Sequence, residues 1–384
     1  MQTAQTVEHL ERLVGFDSVS ANSNLGIAGF IEYYLHDLGF RVTRLPDVTG
    51  QKAGLYAEIG PNEGGVLLSG HTDVVPVEGQ EWTRDPFRLS REGVRLYGRG
   101  TTDMKGYLAS MLNLAGAAAR RELHEPLKLV FSYDEEIGCV GIQQMADALA
   151  PRLGNPRACI VGEPTGMRVA TGHKGKSAWR ALCHGQAGHS ALAPNLVNAL
   201  HLAGDFMAEL REIQRWLYEN GARDPAYDID YSTIHVGMMS GGTALNMVPE
   251  RSELTFECRY LAADSADDIG AMIQDAAARV AEPCRPAFPG AAIELEPLNA
   301  YPGLDVPEDA EIISFAQDLA QTDQAIKVAF GTEAGVFDQL GLPTLVCGPG
   351  DMAGQGHKAD EFIEISQLEA CDRMMGRVLD RISR

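Results

Sequence analysis

His71 and Asp73 stand two residues apart at the end of the apolar run Gly65-Gly-Val-Leu-Leu-Ser-Gly-His71-Thr-Asp73. A neutral imidazole is a good ligand for a divalent metal, and a carboxylate two residues along the same strand points to the same side. There Asp73 could accept the second ring N–H of His71 and fix its tautomer. Other apolar runs of the chain also stop at chemistry. Pro126-Leu-Lys-Leu-Val-Phe-Ser-Tyr leads into Asp134-Glu135-Glu136, and Ala158-Cys-Ile-Val-Gly leads into Glu163. The Gly-rich stretch Gly98-Arg-Gly-Thr-Thr-Asp103 delivers another carboxylate, and Gly348 to Gly356 delivers His357 just before Asp360 and Glu361. Each has a local explanation: Asp103 reads as the N-cap of a following helix, and the three adjacent acids read as a solvated charge run. Three carboxylates held together nevertheless raise one another's pKa, and something positive should compensate.

Taken together, His71, Asp103, Glu136, Glu163 and His357 supply two imidazoles and three carboxylates with no thiolate. That donor set suits two zinc ions sharing one carboxylate, with cobalt able to substitute, in a dinuclear site of the kind used for hydrolysis. Glu135, next to a ligand but facing elsewhere, would be free to act as general base. Two dications would also relieve the crowding of Asp134, Glu135 and Glu136.

The elements that must position these residues follow from pattern. Apolar residues at helical spacing over 5–39 predict two amphipathic helices, and alternating runs at 39–45 and 55–59 predict strands. The short buried runs before His71, Asp134 and Glu163 read as strands of a layered α/β domain, whose C-terminal ends converge on one crevice. A helix is expected from Tyr107 to about Arg121, another near Pro307–Leu319, and a C-terminal one from about Ser366. The irregular, proline-containing stretch 74–87 is long enough to be functional. From Lys176 the order changes to β-α-β-β-α-β, a self-contained split βαβ, ferredoxin-like insert. It packs one face only, so its other face or its edge is free to meet another subunit.

A chain of 384 residues with 45% hydrophobic and 22% charged content is ordinary for a soluble protein of two domains. The 32 basic and 53 acidic residues leave a net charge of −21, which argues against nucleic acid or anionic membrane as partner. No apolar run reaches the ~20 residues of a membrane span, and the N-terminus lacks the pattern of a signal peptide, so a cytoplasmic location is expected. Seven scattered cysteines without a Cys-x-x-Cys pair are expected to be reduced thiols.

The strings Ser-Gly-His71-Thr-Asp73, Gly98-Arg-Gly-Thr-Thr-Asp103-Met-Lys-Gly, Asp134-Glu135-Glu136-Ile-Gly, Gly162-Glu163-Pro-Thr and Gly356-His357-Lys-Ala-Asp360-Glu361 resemble those of the dinuclear zinc metallo-aminoacylase and metallopeptidase family. The similarity runs in order over nearly the whole chain. It implies a zinc-peptidase-like catalytic domain, a mixed sheet between helices, in two segments (1–175 and 299–384) around an inserted lid and dimerisation domain (176–298). It also implies that His71 and Glu163 hold one zinc, Glu136 and His357 the other, with Asp103 as the bridge and Glu135 as general base. Asp73 matches the position that orients the first histidine. His189, in Gly188-His189-Ser, matches a lid residue that reaches the partner subunit's site to stabilise an oxyanion, which implies a homodimer. Arg259 matches a residue that binds the substrate α-carboxylate, and Asn246 is a polar contact there. Cys258, before that arginine, departs from the Val or Ile usual in the family. Within the family, the members that remove the acetyl group of N2-acetylornithine, for arginine biosynthesis, are the most similar, through Ala170-Thr-Gly-His173-Lys174-Gly, Thr332-Glu333-Ala334 and Pro343-Thr-Leu-Val-Cys-Gly-Pro-Gly. The resemblance leaves other N-acyl amino acids, such as N-acetylcitrulline or N-succinyl-diaminopimelate, and dipeptides as alternative substrates. A metal-binding homologue without activity is the non-enzyme alternative. Glu333 is a candidate for reading a side-chain ammonium.

Overall fold

The computed structural model describes residues 2–384, which form two compact units, 2–173 with 304–384 and 174–303. The first segment of the first unit contains, as helices, α1 (Thr3–Val14), α2 (Leu25–Asp37), α3 (Lys105–Ala118) and α4 (Val140–Leu153). Its strands are β1 (Arg41–Pro46), β2 (Ala53–Ile59), β3 (Val66–His71), β4 (Ser90–Glu92), β5 (Arg95–Tyr97), β6 (Leu127–Ser132), β7 (Ala158–Pro164) and β8 (Val169–His173). The second unit contributes β9 (Gly175–His184), β10 (Gly188–His189), α5 (Ala199–Asn220), β11 (Thr233–Gly241), β12 (Met247–Val248), β13 (Arg251–Tyr260), α6 (Ala266–Ala281) and β14 (Ala292–Tyr301). The chain then completes the first unit with β15 (Leu304–Asp305), α7 (Glu311–Ala320), β16 (Ala325–Val328), α8 (Ala334–Gln339), β17 (Thr344–Gly348), β18 (Phe362–Glu364) and α9 (Ile365–Ile382).

In the first unit the main sheet runs β1-β2-β6-β3-β7-β17-β8-β15, with β16 paired to β8. Its centre is parallel, β6 with β3, β3 with β7 and β7 with β17, while β1 and β2 add antiparallel strands at one edge. Every residue of β3, β6 and β7 is buried, as expected when helices cover both faces of a parallel sheet. Helix α3, whose apolar residues go all round, is buried along almost its full length against β3, β7, α1 and α9. By contrast α9 is amphipathic, with Leu368, Cys371, Met374, Met375, Val378, Leu379 and Ile382 inward. A reciprocal capping box between Glu364 and Gln367 starts it.

The second unit has the sheet order β11-β13-β9-β14, all antiparallel, with α5 and α6 packed on it. Strand order and chain order together are the ferredoxin-like arrangement that the sequence pattern predicts. On β13, Leu254, Phe256 and Cys258 alternate into a core with Phe206, Leu210, Ile213 and Ile273. Cys258 is thus a small buried hydrophobe there. The opposite face is a charged ladder: Arg180 lies 3.8 Å from Glu253 and 3.6 Å from Glu296, and Lys176 lies 3.4 Å from Glu257. Of the two surfaces left open for a partner, the sheet face is therefore polar. The edge strand β11 carries apolar exposure at Met238 (66% exposed) and Met239, and the other edge strand, β14, at Leu298.

β7 and β17 approach closely because Gly162 and Gly348 face each other. A Cβ on Gly348 would lie 1.9 Å from the Gly162 carbonyl oxygen, and one on Gly162 would meet the Tyr107 ring at 2.0 Å. Gly376, inside α9, has nothing within 4 Å of the same position. Gly348→Ala should therefore cost about 1–3 kcal/mol or more, whereas Gly376→Ala should stabilise by up to about 1 kcal/mol. Denaturant unfolding of the two variants checks the opposite signs.

Candidate metal centre

His71 ends β3, Glu163 lies in β7, and Glu135 and Glu136 follow β6 after two residues, so adjacent parallel strands place them at the same end of the sheet. Asp103 precedes α3, and His357 sits on the loop between β17 and β18. Asp103 does not cap α3. The helix runs from Lys105 to Ala118, about three residues shorter at its far end than the periodicity predicted and with no side-chain cap. Its carboxylate is instead shared between two imidazoles: Oδ1 lies 3.1 Å from Nε2 of His71, and Oδ2 lies 3.0 Å from Nε2 of His357. Nε2 of His357 is also 3.0 Å from Glu136 Oε2, and Nε2 of His71 is 3.6 Å from Glu163 Oε1. Glu135, too, offers an oxygen within 4.8 Å of ligand atoms of His71 and Glu163.

The structure gives Asp73 a second task beside the one its spacing predicts. Nδ1 of His71 lies 2.9 Å from the backbone carbonyl of Asp73, and 3.5 Å from its carboxylate. The carbonyl thus fixes the ring, leaving Nε2 directed at Asp103 and Glu163. The Asp73 carboxylate accepts the N–H groups of Glu135 (3.1 Å) and Glu136 (3.2 Å) and the hydroxyl of Ser20 (2.7 Å), and so holds the acidic turn to the end of β3. The positive partner expected for the acidic run is Lys52, which pairs with Asp134, while His357 meets Glu136. The Glu135 carboxylate accepts the thiol of Cys139 at 3.3 Å. Asp134, Cys139, His357 and Asp360 all hold left-handed backbone conformations, with φ of 55°, 53°, 57° and 53°. Non-glycine residues adopt these only where the surroundings over-determine them, as at ligand sites.

Electrostatics mark the cluster as cation-seeking. Burial, with neighbouring carboxylates, pushes Glu135 and Glu163 well above the usual carboxyl range and Glu136 up to about 7. Burial also works against charge on His71, but Glu163 and Asp103 overcome it and raise the imidazole well above its usual value. Hydrogen bonds to Asp103 and Glu136 lift His357 to about 10. Asp103 alone is held low, because its two imidazole partners outweigh its burial. Without a cation, the cluster balances its charge by taking up protons. The donors are oxygens and imidazole nitrogens only, and Glu163 Oε1 is buried with no hydrogen-bond partner. These are the properties of residues built to bind divalent ions and to release protons on binding them.

The remaining candidates lie in the second unit. His189 is exposed on β10, where its Nδ1 accepts the Ala191 N–H at 3.1 Å. β10 pairs with β12, His189 opposite Met247, and Asn246 is exposed beside that pair. Arg259 lies toward the other end of β13, donating to Glu257 (3.0 Å) and to the Tyr301 hydroxyl (3.0 Å). β12 adjoins the Arg251 end of β13, and eight residue steps of about 3.3 Å put Arg259 about 26 Å further along. His189 and Asn246 thus belong to the small β10–β12 pair, and Arg259 lies toward the far end of β13 in the four-stranded sheet. Glu333, at the start of α8, is fully buried in the first unit, and burial raises its carboxyl to about 7. A group with no exposed surface cannot receive a substrate ammonium as it stands.

The pattern of "Peptidase family M20/M25/M40" matches residues 67–381. The chain belongs to this family. It is 33% identical to the acetylornithine deacetylase of Yersinia pseudotuberculosis serotype O:1b over 99% of this chain and 98% of that one. To the enzyme of that name from Klebsiella pneumoniae strain 342 it is 33% identical, over 97% and 96% of the two chains. Among solved structures, the M20 family metallo-carboxypeptidase Sso-CP2 of Sulfolobus solfataricus superposes with a TM-score of 0.78 at 20% identity, covering 99% of both chains. The aminopeptidase PepT of Bacillus cereus gives 0.76 at 21%, covering 100% of both. The fold is that of M20 hydrolases.

Sequence reasoning missed Ser20, Lys52, Gln80 and Cys139 as supports of the site. Lys52 and Ser20 lie in stretches with no motif. Arg99 and Glu361 stand inside quoted strings, but nothing in their spacing says that they meet. The position of Asp73 makes one prediction: Asp73→Ala leaves the Glu135 and Glu136 N–H groups without an acceptor, at about 1–3 kcal/mol for each orphaned donor. Urea unfolding of the metal-free variant should show the loss.

Proposed function

We propose that the chain is a metal-dependent amide hydrolase that removes the acetyl group from N2-acetyl-L-ornithine to give acetate and L-ornithine. The observation that carries the hydrolytic reading is the division of the Asp103 carboxylate between His71 and His357 at 3.1 and 3.0 Å, which is how one carboxylate serves two ions. His71 and Glu163 would hold one ion and Glu136 and His357 the other, with zinc favoured by the nitrogen and oxygen donors and cobalt able to replace it. Bound there, the ions would supply Lewis acidity to the amide carbonyl and to the attacking water. Glu135 takes the proton from that water and returns it to the leaving amine, a transfer that its place beside His71 and Glu163 favours. The substrate assignment rests on the relatives at 33% identity that carry the name acetylornithine deacetylase. Seven free thiols fit a reducing cytoplasm.

The second unit supports a homodimer. His189 would stabilise the tetrahedral oxyanion and Arg259, with Asn246, would bind the polar end of the substrate. The β10–β12 pair that carries His189 adjoins the Arg251 end of β13, and Arg259 lies about 26 Å along that strand, so a small substrate would meet both only when a second copy supplies one of them. The exposed methionines of edge strand β11 provide a surface for that copy.

Glu135→Gln should keep two ions per chain yet lower kcat by about 10²–10⁴; metal analysis alongside steady-state kinetics checks both, and near-full activity would remove Glu135 from the mechanism. A panel of acetylornithine, acetylcitrulline, succinyl-diaminopimelate and a dipeptide, ranked by kcat/KM, tests the substrate. Mixing inactive Glu135→Gln and His189→Ala chains should restore about a quarter of wild-type activity, because half the dimers then hold one intact site. No recovery after demonstrated subunit exchange would place His189 and Glu135 of one site on the same chain.

A further inference from the structure

Of the five ligand candidates only His71 and Glu163 lie in strands of the main sheet, and of the other three, Asp103 and His357 both hang from one buried ion pair. The Glu361 carboxylate accepts four donors. Oε1 takes the N–H groups of Thr102 (2.8 Å) and Asp103 (3.2 Å), and Oε2 takes the Gly100 N–H (3.1 Å) and Nη1 of Arg99 (2.7 Å). The loop 98–103 is thereby wrapped around a single carboxylate. Arg99 extends the wrapping outward: Nη1 also lies 3.4 Å from the Lys358 carbonyl, and Nη2 donates to the Gln80 side chain and lies 3.4 Å from the Pro76 carbonyl. Gln80 in turn donates to the backbone carbonyl of His357 at 3.1 Å. Asp360 fastens the same loop by accepting the N–H and hydroxyl of Thr83, at 3.0 and 2.7 Å. Arg99 and Glu361 are both buried, whereas the side chain of His357 is 45% exposed.

We infer that Arg99 and Glu361 are positioning residues for the metal centre, setting the separation of Asp103 from His357 and so the affinity for the ion held on the His357 side. The inference rests on the dinuclear reading proposed above. Its physical basis is an asymmetry. His71 and Glu163 are fixed by the hydrogen-bond ladders of β3 and β7. His357 has a left-handed backbone on an irregular loop, and its register against Asp103 is set by this clamp. A buried pair with every carboxylate lone pair engaged is costly to break from one side, and the backbone groups it releases have no other acceptor.

The test compares wild type with Glu361→Gln, Arg99→Lys and Gln80→Ala, and with Leu149→Ala as a core variant destabilised away from the site. Zinc affinity of the metal-free proteins is measured by competition with a chelating dye, with the visible spectrum of the cobalt-loaded proteins and Tm beside it. Each clamp variant should weaken one of the two ions by about 10–100-fold, change the cobalt spectrum and leave the other ion nearly untouched, while Leu149→Ala lowers Tm with both affinities unchanged. Gln80→Ala cuts only the outer tie to His357 and keeps the buried pair, so it reports even if the other two variants do not fold. Clamp variants that lose Tm as Leu149→Ala does, yet bind both ions as wild type does, would overturn the inference alone. A wild-type chain that takes up no second ion would overturn it together with the dinuclear reading.

Discussion

Holding four carboxylates and two imidazoles within reach of one another in a dry interior is the demand that the rest of the first unit answers. Like charges at this distance repel strongly where water cannot screen them. The chain answers in three ways. It interleaves the acids with imidazoles, so that Asp103 meets two of them. It neutralises the outlying acid Asp134 with Lys52. It also spends further carboxylates, Asp73 and Glu361, as acceptors for backbone N–H groups, which turns the loops into rigid mounts. What remains unbalanced is met by protons in the metal-free protein and by cations in the active one.

Much of this was legible because each ligand candidate follows a short apolar run or a glycine-rich turn, and parallel strands deliver their C-terminal ends to one place. The β-α-β-β-α-β order of the second unit was legible for a similar reason, since its periods of two and of about 3.6 residues alternate cleanly. Local rules misled where tertiary partners were stronger. Asp103 has the sequence context of a helix cap, but two imidazoles outbid the N–H groups of α3 for its oxygens. Asp73 has the spacing to orient His71 by its side chain, and its own carbonyl lies nearer still to Nδ1, so the carboxylate faces His71 and also holds the Glu135 turn. Arg99 and Glu361 are 262 positions apart, and no periodicity connects two irregular loops. Their meeting depends on the fold as a whole.

The second unit divides its labour between surfaces. One face of the four-stranded sheet is apolar and committed to α5 and α6, while the other is a lattice of arginines, lysine and glutamates. Such a face stays solvated and keeps Arg259 oriented through Glu257 and Tyr301 without closing it off. Rigid strands then hold two functional ends at a fixed distance, a spacing that a flexible loop could not maintain.

The sheet order of the first unit has a consequence for how the protein is made. β17 lies between β7 and β8, but it is translated only after the whole second unit. While the ribosome is still reading residues 174–303, the sheet of the first unit can extend only from β1 to β7, with the edge of β7 bare, β8 lacking all three of its strand partners, and α3 uncovered on the side that α9 will occupy. The inserted unit, made of one uninterrupted stretch, can fold in that interval. The nascent first segment must wait, the edge of β7 exposed to pairing with other chains, until residues 304–384 arrive and β17 joins β7 to β8.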